Sequence, residues 1–251
     1  LKKTKKDVFL GIFFIFIAFS FTIFGFIKNK QFDSIKNEKH EYIIRAVSPN
    51  IEINRFYSDQ YETDILNELI NLSKPEKDKP TIFLWPEGIV TDTYLDEIKI
   101  YENLISENFN KNHILIFGVN KLKFIDSNEL YFNSLGVFDN DLNLLTSYDK
   151  VKLVPFGEFL PFEQMLNKFG LKKITQGHGS FLKGESQKNI EIKNLNILPL
   201  ICYEIIFPEI SQKSIEQTNL IVNISEDGWF GNSIGPHQHF AKAIFRSIET
   251  N

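Results

Sequence analysis

The sequence predicts a layered α/β domain behind one membrane-crossing helix. Three observations carry this expectation. Val8–Ile27 (VFLGIFFIFIAFSFTIFGFI) is an apolar run without a charge, about the 20 residues a helix needs to cross a bilayer. From Tyr42 to Val119, strand-like and helix-like patterns alternate, the order that builds helices over a sheet with apolar strands. The 251 residues, 43% apolar and 24% charged, are enough for one large core and too apolar for wholesale disorder.

The apolar run ends at Phe26-Ile27-Lys28, not in the small residues of a cleavage site, so a retained helix is expected and not a signal peptide. Lys2, Lys3, Lys5 and Lys6 precede it and only Lys28 and Lys30 follow closely. This bias places the N-terminus in the cytoplasm and the rest on the far side. The expected division is residues 1–30, a transmembrane helix with a basic flank, and 31–251, a second domain expected to lack its C-terminal part. Tyr42–Val47 reads as a strand stopped by Ser48-Pro49-Asn50, and Tyr61, Ile65, Leu66, Leu69 and Ile70 follow at helical spacing. Thr81–Trp85 is a strand broken at Pro86, Tyr94–Phe109 a helix, and Ile114–Val119 a strand. Tyr131–Phe138 and Leu142–Tyr148 flank Asp139-Asn140-Asp141, a hairpin turn. Two strand-like runs surround Asn194 within Ile190–Ile201, Leu220–Ile224 is another, and Gln238–Glu249 reads as a helix.

Composition limits function. A net charge of −4 leaves no electrostatic footprint for nucleic acid. The single cysteine, Cys202, excludes an internal disulfide. Cys202 follows a buried strand in LPLICYEIIFPE; alone it reads as a small buried hydrophobe well before a nucleophile. Glu87, in LWPEG, and Lys150, in SYDKVKLVPFGEF, also follow strands, and singly each reads as an ordinary turn glutamate or solvated lysine. Together the three supply what acyl transfer through a thioester requires. A carboxylate can take the thiol proton, and an ammonium, assisted by the backbone N–H after the nucleophile, can stabilise the oxyanion. His40, His113, His178, His237 and His239 fall outside the strand-end positions, which argues against a Cys-His pair.

LWPEG, YDKVKLVPFGEFLP at Tyr148–Pro161, ICYE at Ile201–Glu204 and NISEDGWFGNSIGPHQHFAKAIFRSIE at Asn223–Glu249 resemble, in this order, the carbon–nitrogen hydrolase (nitrilase) superfamily. The extended LVPFGEF-P, the CYE triplet and D-x-WFG followed by GP-x-QH are similar to its apolipoprotein N-acyltransferase branch. The resemblance implies an α/β fold of nitrilase-like α-β-β-α sandwich type, preceded here by one transmembrane helix, with no cofactor. It implies Glu87 as general base, Lys150 as oxyanion-stabilising cation and Cys202 as nucleophile. Glu158 corresponds to a glutamate that orients the lysine, Tyr203 and Glu204 to positions important for activity, and Asn133-Ser134 to a structural strand. The implied partners are a membrane phospholipid as acyl donor and a diacylated lipoprotein as acceptor, at the cytoplasmic (inner) membrane of a bacterium with the catalytic domain on the periplasmic side.

The chain departs from the family pattern in places. SPNIEINRF stands where a Q-P-N-I-P-Q-like run leads to a tryptophan, so Phe56 or Tyr57 is expected to replace it, and Glu226-Asp227 stands for the commoner Asn-Asp. The family continues beyond Asn251 and carries several N-terminal helices, so the expected chain is truncated at both ends. Two rival readings remain: a membrane-anchored amidase or nitrilase acting on a small C–N substrate, and an inactive fragment. His237 and His239 could pair on a metal, but no third ligand is spaced for one, and a helix-start role beside Pro236 is preferred. Phe159, Phe162, Leu166 and Phe169 form an apolar stripe that either packs on the core or dips into the bilayer.

Overall fold

The structure is a computed structural model describing residues 4–34, 41–51, 53, 62–126, 128–162, 180–212 and 218–250. It divides into two compact units, Leu1–Glu41 and Tyr42–Asn251.

The first unit is α1 (Lys5–Ser34). Thr4 and Asp7 cap it reciprocally: Thr4 N and Oγ1 donate to Asp7 Oδ2 at 2.7 and 2.8 Å, and Asp7 N donates to Thr4 Oγ1 at 3.3 Å. Its apolar residues occupy every face, including exposed Phe9, Phe13, Phe16, Phe19 and Phe24, so no core-facing stripe exists. Ser20 and Thr22 return their hydroxyls to Phe16 O and Ala18 O one turn earlier, which satisfies them without water. Among the described residues it is the one helix long and apolar enough to cross a membrane.

The second unit holds two facing sheets. The five-stranded sheet runs β1 (Ile43–Ala46), β2 (Thr81–Leu84), β3 (His113–Ile125), β4 (Asn128–Phe138), β5 (Leu144–Asp149) in spatial order. The first three strands are parallel; β4 is antiparallel to β3, and β5 to β4. Hence β1, β2, β3 and β5 share one direction. The second sheet has β6 (Ile190–Ile192) antiparallel to β7 (Leu195–Ile201), and β8 (Leu220–Ile224) parallel to β7.

Strand alternation sorts the core into layers. Ile82, Ile114, Ile116, Leu135 and Val137 of the first sheet meet Ile190, Ile192, Ile197, Ile201, Val222 and Ile224 of the second. On the first sheet's opposite face, Phe83, Leu115, Phe117 and Phe138 pack under α2 (Glu62–Ser73) and α3 (Glu102–Asn108) through Ile65, Leu66, Leu69 and Ile105. On the second sheet's outer face, Leu198 and Leu200 meet Ile205, Ile210 of α4 (Pro208–Gln212) and Ala243 of α5 (Gly235–Glu249). Each buried large apolar side chain contributes about 1.5–3 kcal/mol. The result is the expected α-β-β-α sandwich.

Several element boundaries differ from expectation. The helix expected over Tyr94–Phe109 is shorter: Ile98–Tyr101 is a 3-10 turn and α3 covers Glu102–Asn108. Glu62 accounts for this, because its buried carboxylate accepts N–H bonds from Thr91, Asp92 and Thr93 and O–H bonds from Thr93 and Tyr101, holding the chain before α3 in an irregular path. β3 extends to Ile125 and pairs with β4 as a long hairpin. The Asp139–Asp141 turn is present, with Asp139 Oδ1 accepting from Asp141 N and Asn143 N at 2.9 Å.

Candidate active site

Strand direction brings the site together. Glu87 follows β2, Lys150 follows β5, and these strands run the same way, so both residues leave the first sheet at one edge. Cys202 follows β7 in the facing sheet, and Ser225, Glu226 and Asp227 follow its parallel neighbour β8. This is the carboxyl-end position where α/β sheets place reactive groups.

Lys150 is 1% exposed. Its Nζ lies 2.8 Å from Glu158 Oε1 and 3.6 Å from Glu87 Oε1. Asn133 Nδ2 donates to Glu87 Oε1 at 2.8 Å and to Glu158 Oε1 at 2.7 Å, so one amide spans both carboxylates. Glu226 N donates to Glu87 Oε2 at 3.2 Å, and Val154 N to Glu158 Oε2 at 2.8 Å. Burial alone would push the Lys150 ammonium down, but the two carboxylates outweigh it and hold its pKa above the ordinary lysine value. Lys150 is therefore a fixed cation.

Cys202 is partly exposed and has φ +51°, a left-handed conformation unusual for a residue with a side chain. It opens the 3-10 turn Cys202–Ile206 directly after β7. Burial pushes its thiol up, as does the Glu87 carboxylate, against the Lys150 ammonium and a hydrogen bond with Ser225. The resting group is thus a protonated thiol, which can attack only when a base takes its proton. Proton transfer from Cys202 to Glu87 leaves the cluster's net charge unchanged. Arrangements that conserve charge avoid burying a new one.

Glu204 is fully buried and links the two sides. Its Oε1 accepts from Val151 N at 2.8 Å and Lys152 N at 2.9 Å, immediately after Lys150, while Oε2 accepts from Ile201 N at 3.0 Å, immediately before Cys202. Tyr148 donates its hydroxyl to the same carboxyl at 3.0 Å. Burial pushes the Glu204 carboxyl up, against the N–H groups of Lys152, Ile201 and Val151. Tyr203 stands beside Cys202 with its exposed ring stacked on His239, centroids 5.8 Å apart.

The structure thus brings Glu87, Lys150, Glu158, Cys202 and Glu204 into one neighbourhood. Asn133, expected to serve only the strand, lies within the charge cluster. Its signal was readable: it shares a strand face with core-facing Leu135 and Val137, where a polar side chain needs a partner. His239 is buried and His237 exposed, so the two do not act as a pair. Among the described residues no group of three or more His, Cys, Asp or Glu side chains is arranged to hold a metal. Phe162 is 80% exposed, while Leu166 and Phe169, like Phe56 and Tyr57, lie outside the described residues.

A sequence profile of the carbon-nitrogen hydrolase family matches residues 82–251. The chain belongs to that family. Among its relatives, apolipoprotein N-acyltransferase of Rhizobium leguminosarum bv. trifolii (strain WSM2304) is 36% identical over 216 residues, covering 83% of this chain and 40% of the relative. The protein of the same name from Brucella suis biovar 1 (strain 1330) is 31% identical over 242 residues, covering 94% and 45%. The chain therefore spans less than half the length of either. Among solved structures, Nit3 of Saccharomyces cerevisiae, a member of branch 10 of the nitrilase superfamily, superposes with a TM-score of 0.51 at 17% identity, covering 77% of this chain and 68% of that one. That likeness establishes the nitrilase-type fold.

Proposed function

We propose that the chain carries the catalytic domain of an apolipoprotein N-acyltransferase, with Glu87, Lys150 and Cys202 as its triad. The carrying observation is the buried Lys150 ammonium held against Glu87 and Glu158 at the sheet edge facing Cys202. The names of the relatives support the reaction class, and the apolar helix α1 supports a membrane setting. In this reading residues 1–30 anchor the chain in the bacterial inner membrane, N-terminus inside, and residues 31–251 work on the periplasmic side.

The reaction has two half-steps. Glu87 takes the thiol proton as Cys202 Sγ attacks the ester carbonyl of a membrane phospholipid. The new C–S bond replaces the C–O bond, and the proton passes from Glu87 to the departing alkoxide, giving a lysophospholipid. The free α-amine of a diacylglyceryl-cysteine lipoprotein then attacks the thioester. A C–N bond replaces the C–S bond, and the amine proton returns through Glu87 to the thiolate. Lys150, oriented by Glu158, whose carboxylate Asn133 holds in turn, faces both oxyanions with the N–H of Tyr203. Glu204 ties the backbone after Lys150 to the backbone before Cys202, so the two reacting sides hold their spacing.

Trapping the acyl-enzyme tests this reading. Phospholipid labelled in its acyl chain should mark the wild-type chain, and Cys202→Ala and Cys202→Ser should both fail to accumulate label. Label on either variant overturns the assignment. Chasing the trapped enzyme with a diacylglyceryl-cysteine peptide should move the label to the peptide amine; release of free fatty acid alone assigns hydrolysis instead.

A further inference from the structure

The left-handed backbone of Cys202 is unfavourable for a residue with a side chain and persists only where neighbours over-determine it. Its carbonyl oxygen, displaced from any strand ladder by the turn, meets two side chains. His239 Nε2 lies 3.0 Å from it. Asn223, with its amide turned to face its acceptors, donates to the same oxygen at 3.2 Å and to Leu200 O at 3.3 Å.

His239 is itself held. Asp227 Oδ1 lies 2.8 Å from its Nδ1 and also accepts from Ser225 Oγ at 2.5 Å. Two turns further along α5, Arg246 Nε donates to Ile205 O at 3.2 Å and its NH2 group to Ile206 O at 3.4 Å. One face of α5 thus grips the nucleophile turn at both ends. His239 is 5% exposed, and no step assigned to the triad uses it.

We propose that His239, oriented by Asp227, is a positioning residue for the nucleophile: its Nε2–H holds the Cys202 carbonyl and so fixes the turn that aims the thiol at Glu87. This rests on the reading of Cys202 as nucleophile but not on the identity of the acyl donor. A buried polar residue on a helix is usually there to satisfy its own packing. Here both ring nitrogens face acceptors, the Asp227 carboxylate and the backbone carbonyl of the reacting residue, so both bonds form together when each nitrogen carries a proton.

The experiment measures burst acylation of the full chain by p-nitrophenyl butyrate, a short activated ester, beside acyl-enzyme formation from labelled phospholipid. His239→Leu should lower the acylation rate constant about tenfold or more, with KM changed less than about twofold, because displacing a reacting group by even 1 Å costs rate rather than affinity. His239→Gln, whose side-chain amide can stand where Nε2 stood, should recover to within about fivefold of wild type. Acylation of His239→Leu at the wild-type rate, a change in KM alone, or a Gln variant no better than Leu overturns the proposal. Should the Leu variant not fold, His239→Asn, whose amide is too short to reach, takes its place in the same comparison. Wild type acylated by the ester but not by phospholipid removes the proposed function and leaves this inference testable. Wild type acylated by neither removes the nucleophile reading and this proposal with it.

Discussion

Glu87 shows how one side chain can serve two opposed ends. Its carboxylate raises the thiol that it deprotonates in the proposed mechanism, and the same negative charge raises the Lys150 ammonium proposed to face the oxyanion. Glu87→Gln separates these effects. Acylation should fall by about 10²–10⁴-fold through loss of the general base. The Cys202 thiol, relieved of its anionic neighbour, should ionise at lower pH than in wild type, because removing a nearby negative charge favours the thiolate. Following thiolate absorbance with pH checks the second outcome separately from the first. A variant that loses acylation without any downward shift of thiol ionisation contradicts the assigned coupling between Glu87 and Cys202.

At the scale of elements, the site depends on backbones that approach closely. Gly118 in β3 lies against the turn carrying Glu87, with Gly118 N donating to Pro86 O at 3.2 Å. A Cβ added there would stand 2.7 Å from Glu87 Cα and 3.1 Å from Gly88 N. Backbone atoms cannot swing aside as a side-chain end can. Gly118→Ala should therefore lower stability by about 1–3 kcal/mol and displace Glu87 from Asn133 and Lys150. Urea unfolding measures the first effect and burst acylation the second; a variant at wild-type values in both is inconsistent with the close approach. Gly118 falls in the strand read from ILIFGV, so its element was legible. Its neighbour was not, because which backbone crosses a given glycine depends on sheet order, and periodicity within one strand carries no information about that.

At the scale of the whole domain, the Glu62 carboxylate ties α2 to the segment that runs from Glu87 towards α3. Burial opposes its ionisation, but donors from Thr93, Asp92 and Tyr101 outweigh that and bring its pKa below the ordinary value of 4.5. A carboxyl whose pKa is lower folded than unfolded adds stability above 4.5, and that contribution is lost as pH falls from there through the folded value. Glu62→Gln should cost about 1–3 kcal/mol at neutral pH, since the amide cannot accept every donor now pointing at the carboxylate. It should also flatten the acid side of the stability curve. Thermal unfolding from pH 7 down to 3 reads both, and an acid limb as steep as wild type contradicts the assignment.

The sequence by itself determined the order of strands and helices, the apolar helix, and the placement of Glu87, Lys150 and Cys202 after strands. These follow from local patterns: alternation marks a strand, and Pro86 or the end of an apolar run marks where it stops. Only the tertiary structure decided which groups meet. Asn133 reaches both glutamates, Glu204 bridges the flanks of Lys150 and Cys202, and Glu226 N bonds Glu87 across 139 residues of chain. Partners that far apart are set by the parallel or antiparallel sense of neighbouring strands and by the facing of two sheets. Those are properties of the packed core as a whole, and no stretch of sequence contains them.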